Sequence, residues 1–194
     1  VHNTESVRLL EGMGVKRIVL ARELSLGAIR SIRNRTQTEL EIFIHGALCI
    51  CYSGQCLFSS MVGGRSGNRG RCAQPCRMRY TLLEQDEPVS KENYLLSLKD
   101  MCSLEFLPEL VKSGIHSFKV EGRMKSPEYV ASVIKAYRKY LDAAVTNDFF
   151  KVQNHDLDNL RYVFNRGGFS KGYYFEMPNR FMVTAVSPKH IGVR

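Results

Sequence analysis

The sequence predicts an α/β protein built on a parallel sheet, for three reasons. Short apolar runs alternate with amphipathic helical segments four times along the 194 residues, the pattern of successive strand–helix units. The apolar fraction of 44% suffices for a buried core. Three of the units have short connections, whereas residues 45–93 intervene between the second strand and the third, and an excursion of that length at one strand end is usually functional. Right-handed crossovers leave two architectures, an open α/β sheet or half of a (β/α)8 barrel, and the long excursion favours half of a TIM-like barrel.

The elements follow in order. Thr4 is placed to cap a first helix whose Val7, Leu10 and Met13 face inward and whose stop lies near Gly12 and Gly14. Residues 17–21, RIVLA, read as a buried strand, and a helix begins near Ser25 with Leu26, Ile29 and Ile32 on one face. Residues 40–44, LEIFI, are the second strand and residues 94–98 the third. The segment 103–112 reads as a helix ending at Gly114, and residues 115–120 form the fourth strand. Ser126-Pro127-Glu128 opens the last long helix with a capping hydroxyl, proline at the first helical position and an acid at the positive dipole end. Val130, Val133, Ile134, Tyr137 and Leu141 continue it at helical spacing as a core stripe. Residues 1–148 are thereby expected to form the half barrel with its cysteine-rich insertion, and residues 149–194 a linker and the start of a smaller C-terminal region. With Val1 first and the strand-like FMVTAVS close to Arg194, the chain reads as a fragment of something longer.

Composition narrows the function. No run approaches the about 18 apolar residues of a membrane span, so no membrane partner is expected. The net charge of +9 is concentrated: residues 42–83 hold no Asp or Glu, while Arg65, Arg69, Arg71, Arg77 and Arg79 crowd together among glycines. Such a patch attracts polyanions, nucleic acid first among them, and glycine lets backbone approach a phosphate closely. A plain solvated surface is the alternative reading. Six cysteines in a chain with core to spare point to reduced, cytoplasmic thiols holding a metal rather than to a disulfide framework.

Five of those cysteines lie in residues 45–79. Cys49, Cys56, Cys72 and Cys76 stand as C-x6-C-x15-C-x3-C, neither a zinc knuckle nor a ferredoxin run, so spacing alone supports a metal site only in part. Loop geometry adds support, because Cys49 follows one strand end and Cys102 follows the adjacent one, where thiols from separate loops can converge. Cys51 reads as a spare. In an α/β sheet ligands gather at the C-terminal strand ends, which here carry Arg22 and Glu23, His45 and Gly46, Lys99 and Asp100, and Glu121, Gly122 and Arg123. Each alone is as well explained by an ion pair or a cap; together on one rim they form a candidate site.

Several blocks resemble the collagenase-like peptidase family, peptidase family U thirty-two. They are Glu41-Ile-Phe-Ile-His-Gly-Ala-Leu-Cys49, Tyr52-Ser-Gly54-Gln-Cys56-Leu-Phe-Ser59 and Asn68-Arg-Gly70-Arg-Cys72-Ala-Gln-Pro-Cys76-Arg77. Further along come Ser97-Leu-Lys99-Asp100, Lys119-Val-Glu121-Gly122-Arg123-Met-Lys125-Ser126-Pro127 and Phe164-Asn-Arg166-Gly-Gly-Phe-Ser170-Lys-Gly172-Tyr. The resemblance implies a barrel-like domain of which this chain is the second half. Some members carry protease names; others hydroxylate a tRNA uridine or an rRNA cytidine with prephenate metabolism implicated, and distant relatives hydroxylate ubiquinone with an iron–sulfur cluster on four cysteines.

Carried onto this sequence, the resemblance implies a 4Fe-4S cluster on Cys49, Cys56 and Cys72, with Cys76 as fourth ligand in the RNA-modifying branch or Cys102 by analogy with the quinone branch. Arg65, Arg69, Arg71 and Arg77 are the candidate phosphate clamps. Lys119, Glu121, Arg123 and His45 are the candidate catalytic residues at the rim where a small carboxylate co-substrate could sit. Tyr52, Phe58, Tyr80, Tyr173 and Tyr174 are candidates to stack on a base. The favoured expectation is an iron–sulfur enzyme of RNA modification acting on tRNA or rRNA. A collagenase-like protease acting on peptides is the first alternative, although no nucleophile elbow or HExxH motif is present. A non-catalytic protein whose cysteines staple the loop around a cluster or zinc is the second.

Overall fold

The computed structural model describes residues 1–123, 125–146, 150–175 and 178–187. Its centre is strand β2, Glu39–Gly46, flanked in parallel register by β1, Arg17–Val19, and by β6, Ser117–Val120. Leu40, Ile42 and Ile44 are buried, and Ile18 and Leu20 beside them, as the alternation of the two segments requires. Five helices among the described residues supply apolar side chains to the same core: α1 (Thr4–Gly12), α2 (Leu26–Arg33), α4 (Leu107–Val111), α5 (Pro127–Thr146) and α6 (Asn154–Val163). The molecule is thus a mixed α/β fold with parallel strands, and among the described residues the strands do not close into a barrel.

Local detail departs from the sequence pattern in three places. The first helix is capped by Asn3, whose side-chain oxygen accepts the Ser6 N–H at 2.8 Å, one residue before the expected Thr4. Residues 94–98 form no strand beyond a bridge from Leu98 to Val183; the strand comes later, as β5, Asp100–Cys102, and runs antiparallel to β2 with His45 opposite Cys102. Its first residue is a buried aspartate, which no apolar pattern would announce. In α5 the buried seam is Tyr129, Val133, Ala136, Tyr137, Tyr140 and Ala144, while Val130 and Ile134 face outward. Tyrosine explains the shift, because each ring buries its body and delivers its hydroxyl to a partner. Tyr129 donates to the Glu121 carbonyl at 3.2 Å, Tyr137 to the Ile44 carbonyl at 2.9 Å, and Tyr140 to Asp156.

Between β2 and β5 the chain leaves the sheet. It forms α3 (Phe58–Gly63), two 3-10 turns (Gly67–Arg69 and Pro75–Arg77) and a small hairpin of β3 (Leu83–Glu84) and β4 (Glu87–Pro88). After β5 come α4 (Leu107–Val111), β6, α5, α6 (Asn154–Val163) and β7 (Phe169–Ser170), which adds to β5 in parallel. Leu160, Tyr174 and Met182 join the same core as β2. The boundary expected at residue 148 lies outside the described residues. No helix among the described residues is long and apolar enough to cross a membrane.

Candidate functional site

Beyond the C-terminal end of β2 the loop segments enclose a cleft of about 610 Å³ whose wall includes Cys49, Cys56, Cys72 and Cys76. Their convergence follows from local anchors. Ser59, in α3, accepts the Ala73 N–H at 2.8 Å and so draws the Cys72 segment against the helix that follows Cys56. Gly64 and Gly70 adopt positive φ at the turns between them, and the Gln74 N–H reaches Cys72 Sγ at 3.2 Å. The turn holding Cys76 is pinned by Arg77, which donates to the Leu48 carbonyl at 2.7 Å, to Ser97 Oγ at 2.9 Å and to the Leu98 carbonyl. Tyr80 closes it from outside by donating to the Pro75 carbonyl at 3.0 Å.

All six cysteines are unbridged. Burial pushes the Cys76 thiol up; the Arg77 charge opposes that, and the neighbouring Cys49, Cys72 and Cys56 add to it. Cys49, Cys72 and Cys56 therefore lie within electrostatic reach of Cys76. Cys51 is also raised, by burial first and then by Cys56 and Cys49. Cys102 stands apart, in the apolar core against the Tyr137 hydroxyl at 3.6 Å, with burial raising its thiol. Among the described residues no three His, Cys, Asp or Glu side chains are grouped tightly enough for a single metal ion. The thiols ring a cleft and do not meet at a point.

The same cleft is also lined by cations. Arg22, Arg123, Lys125 and Arg166 line it with one carboxylate, Glu121. Arg22 is held by the Ala47 carbonyl at 2.9 Å and lies over the Phe43 ring. Glu121 accepts the Arg123 N–H at 3.0 Å, and the Arg123 guanidinium lies beside Gly70 of the basic loop. Lys125 sits on the face of Phe164, and burial first, then the Arg166 charge, lowers its pKa to about 8. Arg166 is 8% exposed and bonds Asp100, itself 1% exposed, at 2.8 Å. Gly46 makes the junction possible: its φ is +107°, and a Cβ there would stand 2.6 Å from the Glu121 carbonyl oxygen.

The structure separates the expected catalytic set. Glu121 and Arg123 reach the cleft; Lys119 and His45 do not line it. Lys119 projects from the sheet to Glu41 at 3.0 Å, in a ladder with Arg17 and Ser117. His45 is 1% exposed, packed among Tyr129, Tyr137 and Phe169, and burial lowers its pKa to about 3, so it is a neutral core side chain. The basic set divides too. Arg65, Arg69 and Arg71 are exposed and form no ion pair among the described residues, whereas Arg77 is the half-buried clamp described above. Sequence reasoning passed over Lys125 and Arg166, whose only signal was their place in the two later blocks beside Glu121 and before the Gly167-Gly168 turn.

Fold and site together define a mixed α/β protein with a thiol-lined, cation-walled cleft at one end of its parallel strands. The chain belongs to peptidase family U32, whose model matches residues 1–183. It is similar to a 23S rRNA 5-hydroxycytidine synthase of Escherichia coli, 39% identical over all of this chain and 30% of that protein. It is also similar to tRNA hydroxylation protein P1 of Bacillus subtilis, 40% identical over 84% of this chain and 41% of that protein. A collagenase of Porphyromonas gingivalis is 36% identical over 81% of this chain and 41% of that protein. The chain thus spans less than half the length of these relatives. No solved structure matches it.

Proposed function

We propose that this chain is part of a cytoplasmic RNA-hydroxylating enzyme and that its cleft holds an iron–sulfur cluster on Cys49, Cys56, Cys72 and Cys76. The observation that carries the reading is the joint lining of one cleft by four thiols and by Arg22, Arg123, Lys125 and Arg166. Soft thiolates suit iron–sulfur clusters, and the surrounding cations offset the negative charge of a thiolate-ligated centre. When bound, such a cluster supplies one-electron chemistry. Cys102, buried in the core opposite His45, is the weaker candidate for fourth ligand.

The chain's own residues take the remaining roles. Arg123, Lys125 and Arg166 form a cationic wall able to hold a small carboxylate co-substrate, with Arg123 suited to paired hydrogen bonds. The exposed Arg65, Arg69 and Arg71 engage RNA phosphates without reading sequence. The strands β1, β2 and β6 are proposed to be part of a TIM-like barrel completed by the rest of a longer protein. Two relatives named for RNA hydroxylation, at 39% and 40% identity, support RNA as the partner.

The protease reading keeps the name of the collagenase relative in its favour. The residues serve it less well: His45 is buried and neutral, and Ser59 is 2% exposed, anchoring the Ala73 N–H inside the fold. The test is nucleoside analysis of cellular RNA by mass spectrometry in a strain lacking the full-length protein, complemented by wild type or by Cys56→Ser. A hydroxylated pyrimidine that disappears on deletion and returns only with wild type is expected. Unchanged RNA together with cleavage of peptides by the purified protein would overturn it.

A further inference from the structure

A second cavity, of about 590 Å³, adjoins the thiol cleft at residues 50–52, with Ile50 and Tyr52 lining both. Its walls are mostly apolar and aromatic, with Tyr52, Tyr173, Tyr174 and Phe175 present and Cys51 on the side nearest the other thiols. Two of these rings are available to a guest, Tyr52 at 64% and Phe175 at 47% exposure. Phe175 is held edge-on against Phe106 with centroids 4.8 Å apart, and buried Tyr174 is fixed by donating its hydroxyl to the Phe43 carbonyl. Tyr173, in the same wall, is within electrostatic reach of Glu23, Cys49, Arg22 and Tyr52.

The polar groups of this cavity are few and matched. Glu23 is kept ionised: burial would raise its carboxyl, but the Ser53 N–H and hydroxyl and His2 hold it below the usual carboxylate range. Its Oε1 accepts from Ser53 N at 2.6 Å and faces His2 Nε2 at 2.9 Å, while Oε2 accepts only the Ser53 hydroxyl at 2.9 Å among the described residues. A carboxylate oxygen has room for a second donor. Ser25 Oγ accepts the Ala28 N–H at 3.2 Å as a helix cap and keeps its own proton to donate. One acceptor and one donor beside flat, exposed rings match the edge and the faces of a nucleobase.

We propose that this cavity receives a single base turned out of an RNA strand, stacked on Tyr52 and Phe175, with its polar edge at Glu23 and Ser25. The base then lies next to the thiol cleft, at the residues the two cavities share. The inference rests on the RNA reading above and adds where the base goes. The phosphates stay outside, because the ring alone gains from an apolar wall that phosphate cannot use. Stacking on aromatic side chains is tolerant of which base is bound, so the rings supply affinity and the Glu23–Ser25 edge supplies orientation.

The test uses the full-length protein and two probes of equal length and charge, a short oligouridylate and an abasic ribose-phosphate chain. Wild type is expected to bind the base-bearing strand about tenfold more tightly, the contribution of one stacked base. Tyr52→Ala and Phe175→Ala should each remove most of that difference while leaving abasic binding unchanged, and Tyr52→Phe should retain it, since stacking needs the ring and not the hydroxyl. Both rings are partly exposed, so circular dichroism should show folded variants. Equal binding of the two probes by wild type would overturn the base pocket and leave the RNA reading standing. Binding of neither probe would overturn both. A preference that survives Tyr52→Ala and Phe175→Ala together would place the base elsewhere and also overturn the inference.

Discussion

The ion pair between Asp100 and Arg166 is the place where stability and site geometry can be tested together. Asp100 opens β5, Arg166 precedes the turn into β7, and the two strands pair with Asp100 opposite Phe169, so the 2.8 Å bond closes the same junction that the ladder forms. Both residues are buried, and Arg77 is close enough that its pKa is lowered, by burial first and then by Arg166. Asp100→Asn would leave two neighbouring guanidinium groups in a buried place with their shared carboxylate gone. Breaking a buried pair from one side costs about 3–5 kcal/mol, a large share of a typical total of about 5–15 kcal/mol. Arg166→Gln strands the carboxylate instead and should cost a similar amount. The double variant removes both charges and should be less destabilised than the sum of the singles by about 2 kcal/mol or more. Urea unfolding of the three variants, with the slope unchanged and the midpoint shifted, gives these values directly. Single variants that each lose under about 1 kcal/mol, or losses that simply add, would refute the claim that this pair holds the β5–β7 corner of the cleft.

Other consequences are sharper in sign than in size. Arg69→Ala combined with Arg71→Ala should lower the salt slope of single-stranded RNA binding by about 1.4, from about 0.7 per phosphate contact, whereas Arg77→Ala should lower the unfolding midpoint because it strips three bonds from the Cys76 turn. His45 should make the protein acid-sensitive. Its folded pKa of about 3 lies below the unfolded value of about 6.5, so the unfolded chain binds the extra proton between those limits. Stability is then full above about pH 6.5 and falls by about 1.4 kcal/mol per pH unit below it, and His45→Gln should flatten that part of the curve. Gly46→Ala meets the Glu121 carbonyl at a backbone angle L residues avoid, and should cost at least about 1–3 kcal/mol by thermal unfolding.

Much of the fold was legible because the parallel strands follow ordinary hydropathy. The runs at residues 17–21 and 40–44 are apolar where they are buried, and Ser126-Pro127 marks the last long helix where it starts. The third strand was misplaced because its first residue, Asp100, is charged yet buried, a choice that makes sense only once Arg166, distant in sequence, is brought to it. No local pattern carries that information. The α5 seam was shifted for a related reason, since tyrosine is counted as half polar by sequence but here buries its ring and satisfies its hydroxyl internally.

At the site, cysteine spacing identified the four thiols that line one cleft, but not which residues face them. Glu121 and Arg123 were found by the rule that ligands collect at strand ends. Lys119 obeys the same rule in sequence yet is still inside β6, where Glu41 of the neighbouring strand takes its ammonium. His45 follows the apolar run 40–44, where a ligand is expected, but β2 extends to Gly46 and packs the ring among Tyr129 and Tyr137. Lys125 and Arg166 needed the fold itself, as each depends on Phe164 or Asp100 coming from another element.

The central claim, that thiols from separate loops hold a redox cluster, is tested most directly by iron, zinc and acid-labile sulfide content with a visible spectrum after anaerobic purification of the full-length protein. About four irons and four sulfides per chain with a brown absorbance, both lost in Cys56→Ser, are predicted. Stoichiometric zinc without sulfide, or a Cys56→Ser protein that keeps its iron and its colour, would contradict it.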